Sequence, residues 1–291
     1  MFQIDNATAA TTQPASTAAG TPGFFTDGNP ATSTPATVVP AEWLNAVMME
    51  LVNVVTAGGL TPSKGTFNQV LTAIKTVATG RLLNIQTFNS SGTYTPTAGT
   101  KNCRVTVVGG GGSGGGAAAT TSGQVAIGGG GGGGAAAIGW YPVASLTGQA
   151  VTVGAGGAAA SGNGNAGGTS SVGSVITANG GVGGSAGFAA TPPVVSAPGA
   201  GGITNSGANI AGGLGGPGGP GIGSALGNIF SGNGGASIYS LGVSGTNLAN
   251  NAGNNGSGSG CGGSGATSQN GGAAQASGAG AKGVVIFEEF A

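Results

Sequence analysis

Glu288 and Glu289 are the adjacent acids closest to the glycine-rich part of this 291-residue chain, so any hydrolytic chemistry there would have to use them. A glycosidase needs two carboxyls flanking one bond, whereas consecutive side chains on a strand point to opposite faces. The pair therefore reads as a solvated chain end. Cys103 and Cys261 are too few and too far apart for a zinc site or a disulfide framework, and read as two buried small hydrophobes. Spacings of the GxGxxG type arise by chance among 69 glycines, and no βαβ pattern or acidic ribose-binding residue follows them. Neither Lys64 nor Lys282 stands in a Gly-Lys-Ser/Thr context. Calcium-binding glycine repeats need internal aspartates, and none follows Asp27.

The chain has no histidine, and between Arg104 and Lys282 it has no charged residue at all. General acid–base catalysis needs a group that titrates near neutral pH, so the expectation is a non-enzyme without metal or cofactor. Six basic and six acidic residues cancel to net zero, which gives no electrostatic reason for nucleic acid as partner. Recognition would then rest on apolar contact, aromatic stacking and backbone hydrogen bonds. The candidates are large side chains stranded in glycine-rich loops: Phe188, Pro193, Phe230, Ile238 and Tyr239. Each would also serve as a core anchor or a subunit contact. Trp43 and Trp140, on helical and β-like segments, read as core.

Three zones must position these residues. Residues 1–39 carry prolines at 14, 22, 30 and 35, with Pro40 next, and read as an extended arm ordered by a partner. The adjacent Phe24 and Phe25 are the candidate docking side chains of that arm. Residues 40–80 read as two short helices. Pro40 fits a first helical position, and Leu44, Val47, Met48, Leu51, Val54 and Val55 follow at helical spacing. Phe67, Val70, Leu71, Ile74 and Val77 repeat the pattern. Helices this short need their apolar stripes packed, so copies are expected to associate through Trp43, Leu44, Val47, Met48, Leu51, Leu71 and Ile74. A helical hairpin packed on its own C-terminal domain is the alternative. Residues 41–57 are interrupted by Glu42, Asn45, Glu50 and Asn53, which argues against a membrane span. Met1 to Asp5 lacks a signal-peptide pattern, so assembly in the cytoplasm is expected.

Residues 81–291 form the third zone, a glycine-rich domain with interleaved β-like segments at 86–88, 103–108, 140–146, 150–153, 172–178 and 284–287. Each glycine costs roughly 0.5–1 kcal/mol relative to alanine on folding, so order requires dense backbone pairing. Extended polyglycine helices with three residues per turn provide it, because backbones without Cβ atoms approach closely enough to bond to one another. A glycine-rich β-sandwich is the competing layout. The terminal run Val284–Phe287 needs a sheet partner, and Cys103–Val108 is the expected one. The fold class is therefore mainly β with a small α-helical N-terminal part, and its glycine-rich domain is sandwich-like, built of packed polyglycine helices, or both.

The run Phe24-Phe25-Thr26-Asp27-Gly28-Asn29-Pro30, then Glu42-Trp43-Leu44-Asn45-Ala46-Val47, then Asn68-Gln69-Val70-Leu71-Thr72-Ala73-Ile74, resembles the N-terminal segment of bacteriophage tail-fibre proteins. Ser91 to Pro96, Val105 to Val108 and Gly283 to Phe290 are similar to the glycine-rich C-terminal domain on such fibres. The resemblance implies a homotrimeric fibre in the virion tail. Its N-terminal arm would join a tail or baseplate protein, and its C-terminal domain would meet a bacterial surface receptor, whether pilus, outer-membrane protein or glycan. A structural tail-tip or fibre spacer without receptor contact is the alternative.

Overall fold

The computed structural model describes residues 2–291 and divides the chain into two compact units, Met1–Arg81 and Leu82–Ala291. In the first unit, helix α1 spans Ala41–Ala57 and helix α2 spans Gln69–Val77. Pro40 sits one position before α1, as its extended N-cap residue. The hairpin closes through Val52, Val55 and Ala73, which are buried. Gly58 lets the helices touch, since a Cβ there would lie 2.6 Å from the Cα of Ala73. Gln69 is buried at the start of α2, where its amide donates to the Thr61 carbonyl (2.7 Å) and accepts from the Ser63 N–H (2.9 Å). Phe67 therefore falls outside the helix it was expected to open, and is exposed.

Ahead of α1, Thr26 and Thr37 close a turn through a 2.9 Å backbone bond. Inside it Pro30–Thr32 form a 3-10 turn whose first free N–H, from Ala31, is capped by the Asn29 side chain at 3.0 Å. Asx capping at the residue before proline is what folds this Asp-Gly-Asn-Pro stretch locally.

The second unit is β-rich and begins as a sandwich. One sheet has the order β1 (Leu82–Phe88), β15 (Val284–Phe290), β3 (Asn102–Val108), β5 (Ala136–Pro142), β11 (Ala211–Gly213). The other runs β10 (Asn205–Ser206), β8 (Ile176–Ala178), β7 (Ser170–Val172), β6 (Ala150–Thr152), β2 (Gly92–Thr93). The terminal strand β15 pairs antiparallel with β3, as its sequence requires, and also with β1 on its other side. Val105, Val107, Val285 and Phe287 from one sheet meet Val151, Val172 and Ile176 from the other in a single buried core. Two expected strands end earlier than their composition suggests. Residues 172–178 form a hairpin because Gly173 turns with φ +49°, and the strand through Trp140 gives way after Pro142 to a 3-10 turn, Val143–Ser145.

Out of the sandwich grows a lattice of extended glycine tracts. Val108 ends β3, and the tract 109–117 follows it. Gly109, Gly112 and Gly115 donate to the carbonyls of Ala135, Gly132 and Gly129; Gly110, Ser113 and Gly116 donate to Gly168, Asn165 and Gly162; Gly111, Gly114 and Ala117 donate to Ala281, Gly278 and Gln275. Every third N–H points to the same neighbour, the signature of a helix with three residues per turn and no internal hydrogen bonds. The same tract accepts from 181–187, from 263–266 and from Gly157, so six neighbours surround it. Tract 128–135 is enclosed in the same way: it donates to 260–266, 179–185 and 216–219, and accepts from 109–115, 199–202 and 232–235. The two tracts share the 179–187 and 260–266 segments, as adjacent points of a hexagonal lattice must. Sandwich and polyglycine helices thus coexist, stacked end to end along the chain path.

Glycine is required because the neighbours' carbonyls fill the space of any side chain. A Cβ on Gly110 would come under 3.0 Å from the Ala155 carbonyl, and one on Gly130 equally close to Asn233. Where a side chain does enter, it completes the network: the Ser113 hydroxyl is buried and accepts from the Asn165 N–H at 2.7 Å. At about 3.1 Å per residue, the nine positions 109–117 carry the chain about 28 Å from the sandwich. The connections between tracts at that far end form two small sheets, β14 (Thr267–Gln269) with β4 (Val125–Ile127), and β13 (Asn228–Phe230), β12 (Gly221–Ala225), β9 (Val194–Ser196).

Candidate functional site

The far-end sheet has one buried and one open face. Val194 and Ile229 point inward onto Val125 and Ile127, closing a small core over the ends of the glycine tracts. Gly223 lets β12 settle there, because a Cβ on it would collide with the Ile127 side chain. Alternation then forces the intervening residues outward. Val195 pairs with Ile222, and Ile222 with Phe230, so three apolar side chains stand in register across the sheet, 72%, 45% and 52% exposed. With strands about 4.8 Å apart, the row is about 10 Å long. Phe188, 76% exposed, stands beside a shallow recess of about 260 Å³ that is also lined by Ile127, Val194, Val195 and Ser196. The Ser196 hydroxyl is buried without a hydrogen-bond partner among the described residues.

Polar side chains at this tip help to hold its loops. Asn228 donates to the Ser224 hydroxyl (2.6 Å), Gln269 accepts from the Gly227 N–H (2.8 Å), and Thr121 donates to Gln124 (2.8 Å). Asn250 accepts from the Gln269 N–H (2.8 Å), and Asn270 from the Gly123 N–H (3.2 Å). The tip is uncharged and carries an apolar row on its outer face.

The structure distributes the expected recognition residues over both ends of the lattice. Phe188, Pro193 and Phe230 lie at the far tip. Ile238 and Tyr239 lie near the sandwich, in the turn bridged between Ser237 and Ser240, where Ile238 approaches Gly213 of β11. All five are exposed or nearly so, which overturns the reading of them as core anchors: glycine loops this thin have no interior in which to bury a phenyl ring. Ile222 escaped the sequence reading because β12 is too short and too rich in glycine for its alternation to register. Both tryptophans also depart from expectation. Trp140 is 40% exposed, because it lies on the sandwich's outer face, tilted against Phe290 at 4.9 Å between ring centres. Trp43 lies on the α1 surface turned from α2, edge-on to Phe25 at 5.2 Å.

In the helical unit, Trp43, Leu44, Val47, Leu71 and Ile74 are exposed, and Met48 and Leu51 are half-buried. The hairpin uses its Val52–Val55 side for its own closure and leaves this second apolar surface open. Phe24 is almost fully exposed, whereas Phe25 leans on Trp43.

Glu288 and Glu289 face opposite sides of β15, and the expectation of a solvated chain end fails for Glu289. Strand β15 continues to Phe290 between β1 and β3, so Glu289 lies opposite Cys103 on the inner face and is fully buried. Its carboxylate accepts from the Tyr94 hydroxyl (2.5 Å), the Thr97 N–H (3.1 Å), the Thr97 hydroxyl (2.6 Å) and Gln86 (2.9 Å). Burial alone would push its pKa up, but donation from Thr97 and Tyr94 outweighs it and holds the group below 4.5. Tyr94, stacked on Phe287 with centroids 3.9 Å apart, is shifted strongly upward by its burial and by its bonds to Cys103 and Glu289. Burial raises the Cys103 thiol as well. The cluster is a closed polar knot inside the sandwich. Glu288 makes a 2.8 Å ion pair with Arg104 on the outer face. Both cysteines are free and buried. Among the described residues, no group of three or more histidine, cysteine, aspartate or glutamate side chains is placed to hold a metal, and no helix is long and apolar enough to cross a membrane.

The chain belongs to the glycine-rich domain family, whose model matches residues 86–289. It is also similar to the uncharacterized protein StfP of Escherichia coli strain K12, with 38% identity over 93 residues, or 32% of this chain. That match spans 43% of StfP, less than half its length.

Proposed function

We propose that this protein is a bacteriophage tail-fibre adhesin that attaches the virion tail to a bacterial surface through the far tip of its glycine lattice, without catalysing a reaction. The observation that carries the reading is the open row Val195–Ile222–Phe230, with Phe188 beside it, at the end of an uncharged, hydrogen-bonded glycine lattice. Exposed apolar side chains in register serve association. The N-terminal motifs that resemble tail-fibre proteins supply the other half. Phe24 and Phe25 dock the arm on a tail or baseplate protein, and the open apolar surface of α1 and α2 joins copies into a homotrimer.

The test is competition. Purified full-length protein, added to the host strain before the virion, is expected to block adsorption with a saturable dose dependence. Protein that assembles into tails but neither binds cells nor competes would be a fibre spacer, and the adhesin reading would fall.

A further inference from the structure

Resting on that adhesin reading, we infer that the far-tip sheet docks on an uncharged, apolar patch of a folded protein at the cell surface rather than on a glycan. A glycan presents hydroxyls around every ring, and its recognition needs side-chain donors and acceptors on the contact row itself. Here the Gln269, Asn250 and Asn270 carbonyls each hold a backbone N–H of the tip itself and Asn228 donates to Ser224, and none of these side chains belongs to the open row of Val195, Ile222 and Phe230. What faces outward is hydrocarbon: Val195, Ile222 and Phe230 in one row, with Phe188 and Leu226 also exposed. Two phenylalanines among aliphatic side chains make the kind of anchor set that dominates protein interfaces.

Charge points the same way. With no Asp, Glu, Lys, Arg or His from 105 to 281, the tip has no counter-charge for a phosphate, carboxylate or ammonium group, and desolvating one against Ile222 would be unfavourable. The partner patch must therefore be uncharged as well. Binding between two such surfaces is governed by apolar area and is insensitive to screening.

The experiment uses the fluorescently labelled full-length chain on intact cells of the strain that adsorbs the virion, either untreated, stripped of surface protein by protease, or oxidised with periodate to open glycan rings. Protease is expected to lower binding at least about tenfold and periodate to leave it within about twofold. Raising salt from about 0.05 to 0.5 M should change affinity less than about twofold. Ile222→Asp and Val195→Asp are each expected to weaken binding on the order of 30-fold while leaving circular dichroism and melting unchanged. Leu241→Asp, near the sandwich, should bind as the parent does. Periodate-sensitive, protease-resistant binding would overturn the inference in favour of a glycan while sparing the adhesin reading. Normal binding by both tip variants would move the docking face elsewhere, and absence of binding by the parent chain would sink both readings.

Discussion

Glu289 is the charge on which the sandwich core depends. Its folded-state pKa lies below the ordinary 4.5, so on acidification the unfolded chain takes up the proton first. The stabilisation is complete above about pH 4.5 and is lost as pH falls through the depressed folded value. Tyr94 has the opposite sign: its pKa is raised, so its contribution is intact below its ordinary value of 10.0 and is lost as pH rises beyond that. Glu289→Gln keeps the shape but weakens charge-assisted bonds from Tyr94 and Thr97. It should cost about 2–3 kcal/mol at pH 7 by urea unfolding and flatten the acid limb of the stability profile. An unchanged acid limb in this variant would show that another carboxylate governs it. Gly130→Ala tests the lattice at the same scale. The added methyl must displace the Asn233 carbonyl inside an enclosed tract, and a loss of at least about 3 kcal/mol is expected, against roughly 0.5 kcal/mol or less for alanine at the open Gly162.

At the scale of elements, the helical hairpin is incomplete as it stands. Its inner contact is small, and Leu44, Val47, Leu71 and Ile74 remain exposed on helices whose stability rests on packing. Replacing Leu44 and Ile74 with serine should shift sedimentation of the full-length protein from oligomer toward monomer. A parent chain that sediments as a monomer at micromolar concentration would refute the association outright. Both helices, the sandwich strands β3, β6 and β15, and the β15–β3 pairing were legible in the sequence, because long apolar runs and 3.6-residue periodicity carry their own signal. Polyglycine helices were legible as an option only. A tract such as 128–134 fits any extended geometry, and the choice is made by neighbours distant in sequence rather than by propensity. Glu289 was missed for a related reason. Its partner pattern is i, i+2 with Phe287, which places it inward, but acidity and position near the last residue suggested solvent. Within the tip row Ile222 was missed, because the five residues of β12 set it between glycines and looked like loop.

The molecule as a whole joins a local unit to a strongly non-local one, and their folding should differ accordingly. The hairpin of α1 and α2 closes over a few tens of residues, whereas Gln86 bonds Glu289 across 203 positions, and tract 109–117 is enclosed only when 275–281 has arrived. Loop closure over such distances must precede most of the hydrogen bonding that offsets glycine's entropy, so the β unit is expected to fold slowly and as one cooperative block. The two tryptophans separate the units, with Trp43 on α1 and Trp140 on β5. In a Trp43→Phe background, Trp140 fluorescence after dilution from urea should recover over seconds or longer. Amide protection in 109–117 and 128–135 should appear with the same time constant, since each tract is fully enclosed only when segments as distant as 260–281 have arrived. Protection of the glycine tracts before Trp140 recovers would mean that the lattice nucleates independently, and that the sandwich is built onto it rather than the reverse.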